Sequence, residues 1–159
     1  MILRTGFGYD VHPLVPQHKL MIGGIAVPYH KGTFGHSDGD ALIHAIVDAL
    51  LGALALGNIG DLFPPDDPAY HNMESRFFLE KTITLIREKG FRIVNTDSTV
   101  VLEKPKIKPF IPAMRKNLSE IMQIPVDAVS VKATTSEKMG FVGQEEGVAC
   151  YAVVMIQKD

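Results

Sequence analysis

The sequence predicts an α+β fold, a mixed sheet with helices packed mainly on one face. Two observations carry this. Apolar segments follow one another in the order β-β-α-α-β-α-β-β, which is neither strict βα alternation nor all-β. The chain of 159 residues, 46% hydrophobic and 21% charged, suits one catalytic domain spanning 1–159, since about 150 residues is the usual scale of a single core.

Residues 2–12 and 19–27 read as two strands, paired as a hairpin across the proline-containing Pro13–Gln17 connection. Gly23-Gly24 marks a bulge or a close backbone approach in the second strand. Residues 31–37 form a glycine-punctuated loop. Asp38 or Asp40 then opens a helix that runs to about Leu56 and closes at Gly57, because an Asp carboxylate accepts from the free N–H groups of a first turn. Nearly every side of this helix is apolar, so it is expected to be buried. A loop rich in Asp and Pro follows to Pro68. Phe78, Leu79, Thr82, Ile83 and Ile86 line one stripe of a second helix over 73–89, ended by Gly90. A strand over 91–103, a third helix over 111–123 with Ile111, Met114, Leu118, Ile121 and Met122 on one face, and strands over 129–132 and 148–156 complete the order.

A net charge of −2 gives no general pull toward nucleic acid or anionic membrane, so any phosphate chemistry must come from a local site. One cysteine, Cys150, excludes an intrachain disulfide framework and suits a reducing compartment; within Val148–Ile156 it reads as a buried, inert thiol. The start shows neither a signal nor a transit pattern. The apolar run 41–59 is interrupted by His44 and Asp48, and a central Asp costs roughly 2.5–3.5 kcal/mol on insertion scales. It reads as a core helix. The expected location is cytoplasmic.

Asp10 and His12 lie two apart on a strand, so their side chains share a face and can converge on one ion. Asp40, His44 and Asp48 recur every four residues, a polar stripe on an otherwise apolar helix. Burying it unpartnered is costly; either an ion or ordinary hydrogen bonds relieve that cost. Asp10, His12 and His44 together suit zinc with one open position, with Asp40 or Asp48 orienting His44 from behind. The N–H groups of His36–Asp40 form either a phosphate cradle or a plain capped helix start. Lys132–Lys138 carries three consecutive hydroxyls between lysines, with Glu137 able to hold a divalent ion. Lys104–Lys108 is a stiff basic loop that either wraps a nucleotide or is simply solvated. His18, His30 and His71 read as solvated.

Together these segments resemble the 2-C-methyl-D-erythritol 2,4-cyclodiphosphate synthases of the non-mevalonate isoprenoid pathway, over essentially the full length. The matching pieces are G-x-D-V-H at Gly8–His12, H-S-D-G-D-A-L-I-H at His36–His44, D-A-L-L-G-A at Asp48–Ala53, Phe63-Pro64, K-A-T-T-S-E-K at Lys132–Lys138 and G-V-A-C at Gly147–Cys150. The resemblance implies a homotrimer with active sites between subunits. It implies the substrate 4-diphosphocytidyl-2-C-methyl-D-erythritol 2-phosphate, zinc on Asp10, His12 and His44, and magnesium or manganese shared by Glu137 and the substrate diphosphate.

By the same resemblance His36 and Thr135 steady the transition state. Ser37, Asn58, Ile59, Gly60, Phe63, Pro64, Pro65, Asp66 and Asp67 line the methylerythritol phosphate side, and Asp10, His12 and His36 also bind substrate. Leu102, Glu103, Lys104, Pro105, Lys106, Ile107 and Lys108 cradle the cytidine, Thr134, Thr135, Ser136 and Glu137 lie over the diphosphate, and Phe141 and Gln144 also bind substrate. The chain departs from the pattern at Asn58, where the family usually has Asp, and at Gln144, where it often has Arg associated with diphosphate binding near the trimer axis. A zinc-dependent phosphohydrolase, and a non-enzymatic nucleotide-binding or metal-sensing module, are the competing readings.

Overall fold

The computed structural model describes residues 1–159. A five-stranded mixed sheet has the order β4-β1-β7-β5-β6, built from β1 (Ile2–Pro16), β4 (Lys31–Thr33), β5 (Arg92–Val101), β6 (Val129–Thr134) and β7 (Gly147–Lys158). Only β5 and β6 run parallel, and the connection between them contains α4 (Ile111–Met122), the longer crossover that a parallel pair needs. The α+β class and the mixed sheet are as expected.

The predicted pairing of residues 2–12 with 19–27 is corrected. Residues 19–27 are not one strand: β2 (Leu20–Ile22) and β3 (Ile25–Val27) pair with each other. Gly23 and Gly24 both have positive φ, +60° and +75°, the backbone of a tight hairpin turn rather than of a bulge. β1 pairs instead with β7 along nearly its whole length and with β4 at its far end. β4 lies inside the stretch expected to be loop, and β1 continues past His12 to Pro16.

α1 (Ala41–Ala53) ends earlier than the predicted Leu56, because Ala55 takes a left-handed conformation. The Asp/Pro-rich loop contains one helical turn, α2 (Ile59–Leu62). α3 (Ser75–Glu88) and α4 fall within their predicted ranges, and Gly90 follows α3 with φ +79°. A short α5 (Gly140–Gly143), not anticipated, precedes β7.

α1 is the central helix, and all but two of its residues are buried. It lies directly on β1: a Cβ at Gly6 would come within 1.8 Å of the Ala49 carbonyl oxygen, and one at Gly8 within 1.9 Å of that of Ala45. Those two glycines let helix and strand approach to backbone contact. A single cluster of 36 buried residues joins α1, α3, α4 and the covered face of the sheet. The opposite face of β1 and β7 is bare and apolar, with Phe7, Tyr9, Val11, Tyr151 and Val153 all exposed. No helix is long and apolar enough to cross a membrane.

Candidate active site

Strand alternation turns Asp10 and His12 toward α1, and the close approach over Gly8 brings His44, adjacent to Ala45, against them. Asp10 Oδ2 lies 2.9 Å from His12 Nε2 and 3.2 Å from His44 Nδ1. The two ring nitrogens are 3.2 Å apart. One oxygen and two nitrogens therefore form a nearly equilateral triangle. Tetrahedral zinc with bonds of about 2.0–2.2 Å sets its ligand atoms roughly 3.3–3.5 Å apart, only slightly wider than this triangle. The donor set fits a divalent ion.

The outward nitrogens decide the tautomers. His12 Nδ1 donates to the Phe34 carbonyl at 3.1 Å, so Nε2 presents its lone pair to the triangle. The loop reaches that near because Gly35 has no side chain; a Cβ there would meet the His12 ring at 2.9 Å. His44 Nε2 faces Ser75 Oγ at 2.8 Å and Ser37 Oγ at 3.1 Å. Burial pushes the Asp10 carboxyl up, but in the metal-free protein hydrogen bonds from ring N–H groups of His12 and His44, and their charges, outweigh it and lower its pKa from 3.8 to about 2. Burial pushes the His12 imidazole down, and the Asp10 hydrogen bond and charge, helped by Phe34 and Asp40, leave it raised.

Neither Asp40 nor Asp48 orients His44, which corrects that expectation. Asp40 is fully buried, and its carboxylate accepts from Ile43 N at 3.0 Å, Gly23 N at 2.9 Å and Gly24 N at 2.6 Å. It caps α1 and pins the β2–β3 turn to it. Burial raises its pKa, and the three N–H donors oppose that. Asp48 accepts from Ile59 N at 2.7 Å, anchoring α2. Of the two readings of His36–Asp40, the capped helix start is the one seen. Gly39 N already donates to Ser37 Oγ, and Asp40 N to Asp38.

A cavity of about 200 Å³ opens over the triangle; His36 and Ser37 line it with His12 and His44, and Ile59, Gly60, Phe63 and Pro65 form its far wall. Tyr70, absent from the sequence reading, and Phe78, read there only as part of an apolar helix stripe, complete it. Pro64 and Asp66 are exposed on the same loop, while Asp67 caps the next turn through Ala69 N. Asn58 Oδ1 accepts from Gly60 N and Asp61 N, and Asp61 accepts from Asn58 N. Its oxygen is therefore engaged in a capping box and only its NH₂ is free. A larger recess of about 450 Å³ shares Ser37 with this cavity, but it holds none of the three converging side chains, so the chemistry belongs to the smaller one.

The second group of predicted residues gathers elsewhere. Glu103, Pro105, Lys106 and Lys108 surround a separate cavity of about 150 Å³ with Thr134 and Thr135; Leu102 and Ile107 also line it while lying largely buried in the core. Glu103 accepts from Ser136 N, tying the two segments together. Lys104 pairs with Glu145 at 3.0 Å rather than standing free. Glu137 is exposed, in a left-handed conformation, with Thr135 Oγ1 at 3.4 Å from its carboxylate. The Phe141 ring flanks Gly147, and Gln144 donates to the Lys138 carbonyl. The two cavities share no residue.

The sequence model of the YgbB family matches residues 3–157. A 2-C-methyl-D-erythritol 2,4-cyclodiphosphate synthase from Carboxydothermus hydrogenoformans is 50% identical over 158 residues, 99% of this chain and 97% of its own. Among solved structures, the bifunctional IspDF from Campylobacter jejuni superposes with a TM-score of 0.95 at 37% identity. The match covers 99% of this chain and 43% of that longer protein. A CDP-bound 2C-methyl-D-erythritol-2,4-cyclodiphosphate synthase gives a TM-score of 0.90 at 35% identity, over 97% of this chain and all of that one.

Proposed function

The chain belongs to the YgbB family, and from that premise we infer that it is a 2-C-methyl-D-erythritol 2,4-cyclodiphosphate synthase. It converts 4-diphosphocytidyl-2-C-methyl-D-erythritol 2-phosphate to the cyclic diphosphate and CMP. A 2-phosphate oxygen bonds to the β-phosphorus, and the bond from that phosphorus to the bridging oxygen breaks, leaving with CMP. No water is consumed.

The observation that carries this reading is the Asp10–His12–His44 triangle opening onto a cavity. Because the nucleophile belongs to the substrate, no activated Ser or Cys is required; alignment and charge neutralisation are what the protein must supply. When bound, zinc on the triangle supplies a Lewis acid and template for a phosphate oxygen, and magnesium or manganese on Glu137 neutralises the diphosphate. His36, exposed at the cavity rim, and Thr135 donate to phosphate oxygens as charge develops. Ser37, Ile59 and Gly60 shape the methylerythritol side, and Lys106 and Lys108 with Glu103 receive the cytidine.

The whole chain acts as one catalytic domain within a homotrimer. Two observations support assembly. The cavity over the triangle and the one beside Lys106 are each smaller than the roughly 300–1,000 Å³ of a usual ligand pocket, which suits a site completed by a neighbouring copy. The bare apolar face of β1 and β7 is the kind of surface that a partner covers. The unpaired Cys150 suits a cytoplasmic location.

Incubation with the cytidyl diphosphate substrate tests the reading. Cyclisation releases CMP without incorporating labelled oxygen from water; incorporation would indicate the hydrolase, and no release a binding module.

A further inference from the structure

We propose that Ser75 and Asp38 are positioning residues that fix His44 as its Nε2–H tautomer, so that Nδ1 carries the lone pair toward Asp10 and His12. The inference rests on the reading that those three side chains share an ion, but it concerns a layer behind them that the sequence motifs do not reveal.

The direction of the hydrogen bonds follows from the donor count. Asp38 offers only acceptors: Oδ1 accepts from Asp40 N at 3.2 Å and Oδ2 from Ser75 N at 3.2 Å. The Ser75 hydroxyl lies in close contact with Asp38 Oδ1, so its single proton must point to that carboxylate. Ser75 Oγ then faces His44 Nε2, 2.8 Å away, with a lone pair. Nε2 must donate, and in the neutral ring the proton is thereby kept off Nδ1. The reverse arrangement would set a hydroxyl lone pair against a carboxylate oxygen.

The relay is sheltered. Ser75 is completely buried, and only 11% of the His44 side chain is exposed. Ser37 Oγ, at 3.1 Å from the same nitrogen, can accept the same proton but touches no carboxylate. It therefore does not fix the direction. Asp38 is joined to Ser75 through both backbone and side chain, which places the first residue of α3 behind the ligand carried by α1.

The experiment uses the full chain in three forms: unaltered, Ser75→Ala and Ser75→Thr. Zinc affinity is read by competition with a chelator, and the His44 tautomer by NMR of histidine-labelled protein. The Ala variant is expected to bind zinc about 10–100-fold more weakly, the range seen when outer partners of metal ligands are removed, and to populate Nδ1–H. The Thr variant, which keeps the hydroxyl, is expected to restore both. Unchanged affinity in a folded Ala variant would overturn the proposal. So would an Nδ1–H tautomer in the unaltered protein, a result independent of whether either variant folds. If the unaltered chain binds no zinc, the shared-ion reading fails separately, and the tautomer still reports on Ser75.

Discussion

His12 Nε2 and His44 Nδ1 face each other across 3.2 Å, and each ring places its hydrogen-bonding proton on the opposite nitrogen. Two lone pairs and the Asp10 carboxylate thus converge on one point. Such an arrangement repels itself unless a positive charge sits between, either a divalent ion or, in the metal-free protein, a ring proton donated toward Asp10, and it supplies the physical reason for an ion there.

Replacing His44 by Ala removes one corner of the triangle and leaves Asp10 and His12. The variant is expected to lose bound zinc and about 10³-fold of the cyclisation rate, since several kcal/mol of charge stabilisation is lost at a tenfold per 1.4 kcal/mol. Elemental analysis and turnover check this together. Normal turnover in a zinc-free variant would remove the ion from the mechanism.

Gly8→Ala introduces a methyl where the Ala45 carbonyl oxygen is only 1.9 Å away. α1 must shift, carrying His44 with it. A destabilisation of at least about 1–3 kcal/mol is expected from the overpacking, together with weaker zinc binding. Denaturant unfolding and a zinc titration read the two effects; a fully stable variant with unaltered zinc affinity would contradict the packing described.

The Asp10–His12 interaction gives metal-free protein a specific pH dependence. Asp10 is lowered from 3.8 to about 2, so its contribution is present above pH 3.8 and lost as pH falls through about 2. His12 is raised above 6.5, so its contribution is present below pH 6.5 and lost as pH climbs through the raised value. The two shifts largely describe one interaction. It is expected to contribute about 2 kcal/mol between those limits, and Asp10→Asn is expected to abolish that maximum in unfolding measured against pH.

Glu137→Gln keeps the size of the side chain and removes its charge. If Glu137 holds the second ion, the variant needs about tenfold more magnesium to reach half its maximal rate, a charge-assisted contact being worth roughly 1.5–3 kcal/mol. An unchanged magnesium titration counts against this ligand.

Val153 and Phe7 are paired neighbours on the bare sheet face, 46% and 64% exposed. Val153→Glu places a charge on that face; if, as proposed, a neighbouring copy covers it and completes the site, the variant is expected to give monomers with greatly reduced activity. Sedimentation measures the mass. An active monomer would place the complete site within one chain.

Much of this was legible in the sequence because it is local. The i, i+2 rule brought Asp10 beside His12, the Asp40 cap opened α1, and glycine closed α3. What local pattern could not convey was long-range: β1 selected β7, setting Asp10 opposite Cys150, over the nearer residues 19–27, because Gly23-Gly24 folds that segment on itself. The polar stripe on α1 likewise looked uniform, yet Asp40 and Asp48 secure the backbone while only His44 enters the site. Ser75 carried no signal at all, since a serine at a helix start reads as a cap; here it is buried behind His44 and caps nothing.

The central claim is most directly tested by diffraction from zinc-loaded crystals at wavelengths on either side of the zinc absorption edge. One anomalous peak per chain is expected, at about 2.0–2.2 Å from Asp10 Oδ2, His12 Nε2 and His44 Nδ1. A zinc peak remote from these atoms, or a crystal with no peak among them, would contradict it.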